Sequence, residues 1–411
     1  MHHDTVAALQ LLTAAAVRQR AQVILEAGLA GRLDHFTVDP DRLVQAADLT
    51  AAVTRDAYPS LDIPFHSRWR HFVIDGADRW MTAAGAVSWP DAAARARAEF
   101  DLAIISVLLD AGSGAAWRYH DAAAGRDIGR SEGLALASLT MFCDGAFSAT
   151  PGDRLRADAS KLKELDAATL IAGFQAGPGN ALAGLDGRAG LLRRLGSAVT
   201  DAPSVFARND GPRPGGLFDH LAGLASDGRI AAATILTEVL KHLGPVWPAR
   251  LAVGGVPLGD CWRHPAIRTT DATDGLAPFH KLSQWLTYSL IEPTERAGLT
   301  VTGIDDLTGL AEYRNGGLLV DTRVLALRDE ADARRRHDVG STLVVEWRAL
   351  TVALLDRVAG LVRERLSRDA RELPLPRILQ GGTWAAGRAI ARERRADGSP
   401  PLQVVSDGTV F

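Results

Sequence analysis

The sequence predicts a mainly α-helical protein, and three observations carry that expectation. Apolar residues recur at helical spacing in the longest regular stretches. Capping residues stand where those stretches begin. Strand-like alternation is confined to short pieces, of which VTGI (301–304) and LLVD (318–321) are the best.

Taken in chain order, the first such stretch is Asp39–Tyr58, with Asp39 as N-cap and Pro40 at the first helical position. It carries Leu43, Ala46, Ala47, Thr50 and Val53 on one face. Ser131–Gly145 is apolar almost all round between a Ser131 cap and a Gly145 stop, as expected of a buried helix. Within Leu276–Pro293, helical spacing puts Lys281, Gln284, Trp285 and Tyr288 on one face. In GIDDLTGLAEYRNGGLLVD (303–321), Asp305 or Asp306 is placed to cap a helix that turns Leu307, Leu310 and Ala311 inward. Asn315, Gly316 and Gly317 would end that helix just after Glu312, Tyr313 and Arg314. Thr342–Leu366 sustains one stripe through Leu343, Trp347, Leu350, Leu354 and Leu361. At the end of the sequence, Val404, Val405, Val410 and Phe411 suggest a docked segment rather than a tail.

At 411 residues the chain exceeds what one core usually supports, so two lobes or one large helical domain are expected. The glycine- and proline-rich loops at 175–190 and 209–216 suggest lobes over 1–200 and 217–411 within one unit, the second carrying the catalytic segment. Net charge is −3 with both signs interspersed, which argues against a nucleic-acid partner. The most apolar run, Leu102–Leu109, is too short to span a bilayer, and no membrane partner is expected. MHHDTVAALQ lacks the pattern of a signal peptide. Cys143 and Cys261 lie far apart and fit a reducing cytoplasm.

The familiar chemical motifs are missing. No GxxxxGK phosphate loop and no dinucleotide fingerprint occur, and Gly129–Gly133 (GRSEG) lacks the setting of a nucleophile elbow. His264 and His280 are isolated and no HxxxH pair with an acid is seen, so neither metal nor cofactor is expected.

Three segments hold candidate chemistry. Leu61–Phe72 sets His66, Arg68, Arg70 and His71 among Phe65, Trp69 and Phe72. Arginine forks with aromatic walls suit a phosphate or carboxylate on a flat ligand, and equally suit a junction where arginines cover aromatic rings. Of the 46 basic residues only Lys161, Lys163, Lys241 and Lys281 are lysines, and Lys281 has apolar company. That arrangement fits a partly desolvated functional amine or a lysine snorkelling at a helix edge. Glu312 in the third segment is either a site carboxylate or a solvated surface acid.

Beyond these segments, the blocks LDIPFHSRWRHF, GRSEGLALASLTMFCDGAFSA, HKLSQWLTYSLIEP, AEYRNGGLLVD, VEWRALTVALLD and LQGGTWAAGR resemble the uracil-catabolism protein family of fungi and bacteria, nearly end to end. That resemblance implies a place in the degradation of uracil through its nucleotide and a ring-opened ribosylurea to urea. A more remote resemblance links DDLTGLAEYRNGGLLVDTRVL (305–325) to queuosine-salvage N-glycosidases. There Glu312 stands at the catalytic aspartate, and HKLSQ is similar to a YKRAQ run whose lysine matches Lys281, 31 residues earlier. Glu132–Asp153 is similar to a third region of the same enzymes. This second resemblance implies an all-α, helix-hairpin-helix DNA-glycosylase-like fold of two lobes with a cleft between them. It also implies cleavage of an N-ribosyl bond.

Two departures concern the substrate. Glu312 replaces an aspartate, and Asn315, Gly316 and Gly317 replace VPQ. A longer acid suits a leaving group as small as urea. On this basis the expected substrate is ribosylurea 5′-phosphate or a close ring-opened pyrimidine nucleotide. Glu312 would be the catalytic carboxylate and Lys281 its charge partner or a phosphate ligand. Arg314, Arg68, Arg70 and His66 would bind the anionic end, Asp321 and Asp144 the ribose hydroxyls, and Trp285 and Tyr313 would wall the pocket. The alternatives are an amidohydrolase or deaminase with Cys143 as its only nucleophile candidate, and a non-catalytic scaffold or sensor.

Overall fold

The computed structural model describes residues 3–110, 112–114, 116–247 and 250–405. Among the described residues helices hold 55% and every sheet is two-stranded, so the protein is mainly α. It divides into two compact units, each assembled from separate pieces of sequence.

The first unit comprises Met1–His66, Ala249–Gln284 and Gly303–Phe411. Its axis is the helix Thr342–Leu366, capped by Ser341 and buried along most of its length. Ala14–Leu29 and Leu43–Ala57 pack against it. The helix Tyr313–Asp321 lies close against Trp384–Arg394 around Leu318, Ala386 and Ile390. That approach needs Gly387, where a Cβ would sit 2.1 Å from the Arg314 carbonyl oxygen. Phe36–Val38 pairs antiparallel with Leu325–Leu327, and Cys261–Arg263 with Leu276–Pro278. Gln403–Val405 adds a parallel strand to Arg336–Asp338. That segment thus docks by backbone pairing, with Val404 half-buried and Val405 exposed, while Val410 and Phe411 fall outside the described residues.

The second unit comprises Ser67–Pro248 and Trp285–Thr302. Its central helix, Ala92–Leu108, is buried without a break from Ala98. That helix buries Asp101, whose carboxylate accepts from the Arg213 guanidinium and from the Ala157 and Gly215 amides. Arg130–Cys143 and Gly216–Leu224 flank it. Thr300–Thr302, the predicted VTGI strand, pairs parallel with Arg229–Ala231. The helix Lys281–Arg296 gives its first turn, Lys281–Gln284, to the first unit and the rest to the second.

Several local expectations change. Asp39 caps a 3-10 turn, Pro40–Arg42, before the α-helix begins at Leu43. Ser131 lies inside its helix, Arg130–Cys143, because its hydroxyl is drawn to Asp110 instead of a cap. Gly145 follows that helix with φ +80°, the left-handed turn that favours glycine. The largest change concerns Glu312. Residues 307–312 contain no helix, and Glu312 is the N-cap of a helix that begins at Tyr313. Asn315, Gly316 and Gly317 lie within this helix and do not end it. LLVD is therefore helical and not a strand.

Candidate functional site

In the first unit the site grows from Asp260. Its carboxylate takes a bidentate pair from Arg348 at 2.8 and 2.7 Å, and Arg348 is only 1% exposed. Burial works against that charge, but the Arg348 guanidinium and the Trp262 and Lys281 N–H groups hold the Asp260 acid down at about 2. The Lys281 N–H donates to the same carboxylate at 3.0 Å. Asp260 therefore fixes the start of the helix, where His280 turns the backbone at φ +48°. One turn later Gln284 donates to the Thr308 hydroxyl at 2.7 Å and accepts its N–H at 2.9 Å. This double bond clamps the first turn of the helix to the extended segment that ends at Glu312.

Glu312 is 7% exposed and accepts the backbone N–H groups of Arg314 at 2.8 Å and Asn315 at 2.6 Å, one on each oxygen. Burial raises its acid above the usual carboxylate range. The two amides and the Lys281 ammonium pull it partly back, so Lys281 lies within electrostatic reach of Glu312. The Asn315 side chain bridges the Leu310 carbonyl and the Thr383 hydroxyl. Gly316 lets the same turn settle on Trp347, whose indole N–H donates to the Gly316 carbonyl. The segment is thus held from both sides.

His66 joins the same unit. Its Nδ1 lies 3.0 Å from Gln380 Oε1, and its ring lies 6.3 Å from that of Trp384. Burial, with a smaller push from the Lys281 charge, lowers its acid to about 4, so the ring is neutral at pH 7. Gln380 sits in a π-helical turn, Leu379–Thr383, a departure from regular helix often found at functional sites. Gly381 and Gly382 allow that turn to press on Ile63, Thr50 and Thr54. Tyr313 stacks under the Arg314 guanidinium at 4.9 Å, and Arg314 donates to the Gly398 carbonyl. Asp321 lies at the far end of that helix, where Arg395 holds both its oxygens at 2.8 and 2.6 Å.

The second unit holds the arginine cluster. Arg68 is fully buried and binds Ser106, Asp110 and Ser131, with its guanidinium over Trp285 at 5.6 Å. Burial lowers its acid even beside Asp110, and Nη2 has no hydrogen-bond partner. Arg70 is paired with Glu292 at 2.7 Å, and His71 packs on Trp285. Asp144 is exposed at the C-terminal end of Arg130–Cys143.

The structure therefore groups Glu312, Lys281, His66, Tyr313 and Arg314 in one unit, with Arg68, Arg70, Trp285 and Asp144 in the other. Sequence reasoning missed Asp260, Arg348 and Gln380 as supports. Gln380 lies in the LQGGT block, whereas nothing local marks Asp260. Cys143 and Cys261 are both free, and burial with a neighbouring aspartate pushes their thiols up to about 11 and about 12. Neither is activated as a nucleophile. Among the described residues His220, Glu238 and His242 form a group able to hold a metal, and no helix is long and apolar enough to cross a membrane.

These features define a helical protein with a buried carboxylate held by two backbone amides and within electrostatic reach of a lysine. Residues 10–411 match the family described as protein of unknown function (DUF1688), and the chain belongs to this family, the uracil-catabolism family. It is 38% identical to protein urg3 of Schizosaccharomyces pombe over 422 aligned positions, covering all of both chains. It is also 36% identical to uracil catabolism protein 4 of Lachancea kluyveri, over 93% of each chain.

Proposed function

We propose that this protein is a hydrolase of uracil degradation that cleaves the N-glycosidic bond of ribosylurea 5′-phosphate, giving urea and ribose 5-phosphate. The name of one relative, uracil catabolism protein 4, supports the pathway. The reaction rests on one observation above all: a buried carboxylate, Glu312, held by two backbone amides within reach of the Lys281 charge.

Cleavage of a ribosyl C1′–N bond builds positive charge on the sugar. A carboxylate fixed beneath the ring offsets that charge and takes a proton from the attacking water. Each Glu312 oxygen spends one lone pair on an amide and keeps another for water or substrate. Water oxygen bonds to C1′ as the C1′–N bond breaks, and the proton that Glu312 took from water passes on, through solvent, to the leaving urea nitrogen, which restores the carboxylate. Lys281 stabilises ionised Glu312 and attracts the 5′-phosphate, with Arg314 as a further donor. Neutral His66 is fixed by Gln380. In this reading the fold is a helix-hairpin-helix DNA-glycosylase-like one, which agrees with the helical content, and the reaction is cytoplasmic. The amidohydrolase alternative loses support because its only nucleophile candidate, Cys143, has a raised thiol.

The test is to incubate the purified protein with ribosylurea 5′-phosphate or uridine 5′-monophosphate and assay urea and ribose 5-phosphate. Both products are expected from ribosylurea 5′-phosphate alone, with loss of release in folded Glu312→Gln. No product from wild type, or equal release from the variant, overturns the reading.

A further inference from the structure

Far along the sequence from Glu312, two short helices of the second unit bring together three groups of a kind that bind metals. Glu238 and His242 are four residues apart on Ala232–Leu243, so they project from one face. His220 projects from Gly216–Leu224. His220 Nε2 lies 2.6 Å and His242 Nε2 3.0 Å from the same oxygen, Glu238 Oε2. The two rings meet edge to face at 5.3 Å, and Phe206 abuts His242 on another side. All three side chains are largely buried, at 22%, 12% and 14% exposure for His220, Glu238 and His242.

We propose that His220, Glu238 and His242 form a binding site for a divalent transition-metal ion of the zinc class. Two imidazoles and a carboxylate are a borderline donor set that prefers Zn²⁺ and its neighbours over Mg²⁺ or Ca²⁺. Their ligand atoms all lie within 4.8 Å of one another. Ligands at about 2.0–2.2 Å in a tetrahedron stand roughly 3.3–3.5 Å apart, so on loading Glu238 recedes by less than about an ångström from both rings and the two Nε2 atoms adjust to the same spacing. Coordination places each ring proton on Nδ1 and turns both Nε2 lone pairs to the ion. With a carboxylate and two neutral rings the loaded site keeps a net charge of +1, and its fourth position is open to water. The nearby Lys241 ammonium, 4.0 Å from Glu238 Oε1, is 59% exposed and free to swing into solvent. The site clamps the two helices together, and it is independent of the glycosidase reading.

The experiment uses the untagged full chain, stripped with a chelator and dialysed against Zn²⁺, with bound metal measured by elemental analysis. Co²⁺ is added in parallel to record visible spectra. One equivalent of Zn²⁺ is expected in the wild type, with the intense visible bands of four-coordinate Co²⁺. Glu238→Gln and His242→Gln should each lose at least about tenfold in affinity, the lower end of what removing even an outer partner costs. Melting curves of the metal-free variants show that they are folded, and His220→Asn serves if either one is not. Substoichiometric binding by the wild type, or equal affinity in folded variants, overturns the site. The second result would assign binding to other groups, such as the cysteines.

Discussion

Gln284 and Thr308 exchange two hydrogen bonds, with the Gln284 side-chain N–H on the threonine hydroxyl and the Thr308 backbone N–H on the Gln284 oxygen. Both residues are buried, so water cannot replace either bond. The pair joins the turn that carries Lys281 to the segment that carries Glu312. Gln284 thus acts as a positioning residue.

Gln284→Met keeps the length and removes both bonds. The Thr308 N–H loses its acceptor and the Phe279 carbonyl a donor, while the threonine hydroxyl still donates to the Gly309 carbonyl, so the loss should be about 1–3 kcal/mol in urea unfolding. Urea release should fall more than stability alone explains, through kcat more than KM. A variant within about 0.5 kcal/mol of wild type, the range of neutral surface substitutions, would refute the clamp.

The helices with long apolar stripes were legible in the sequence, Thr342–Leu366 being the plainest. The misreading at Glu312 has a physical cause. Glutamate is an uncommon N-cap, and adjacent glycines usually mark a helix end. Here Gly316 and Gly317 stay helical because Trp347 and Pro401 press where their side chains would be, and packing overrides propensity. Glu312 and Lys281 were legible as candidates through spacing and resemblance. Asp260 was not, because its partner Arg348 lies 88 positions away.

Removing that partnership gives the second prediction. Asp260→Asn leaves the Arg348 guanidinium buried without its carboxylate and weakens the hold on the Lys281 N–H. Breaking a buried pair on one side costs about 3–5 kcal/mol, which chemical denaturation should show. The wild-type contribution is present above the ordinary aspartate value near 3.9 and is lost as pH falls through about 2. The Asn variant should therefore lose less stability than wild type over that acid window.

His66 predicts a second acid effect, at higher pH. Its folded value is about 4 against an ordinary value of 6.5, so the unfolded chain takes up a proton that the native ring refuses. Stability from this group is complete above 6.5 and is lost as pH falls towards 4, by roughly 3 kcal/mol at the full shift. His66→Asn, which can keep a bond to Gln380, should flatten the fall in urea midpoint between those values. Equal slopes in the two proteins would show that His66 does not titrate as its burial requires.

Glu312 has two roles that substitution can separate. As an N-cap it is worth about 1 kcal/mol to the helix Tyr313–Asp321. As a carboxylate it is proposed to be worth about 10²–10⁴-fold in rate. Glu312→Ser supplies a favoured cap without a charge, so its stability should stay within about 1 kcal/mol of wild type while urea release collapses. Glu312→Ala should lose both. The pH sign is opposite to that of His66: because burial raises the acid, the native state favours the protonated form, and stability falls as pH rises above the ordinary glutamate value. The advantage of wild type over Glu312→Gln should accordingly shrink from pH ~4 to pH ~7. A Ser variant that still releases urea within about tenfold of the wild-type rate, below the usual range for a lost general base, would leave Glu312 a cap and nothing more.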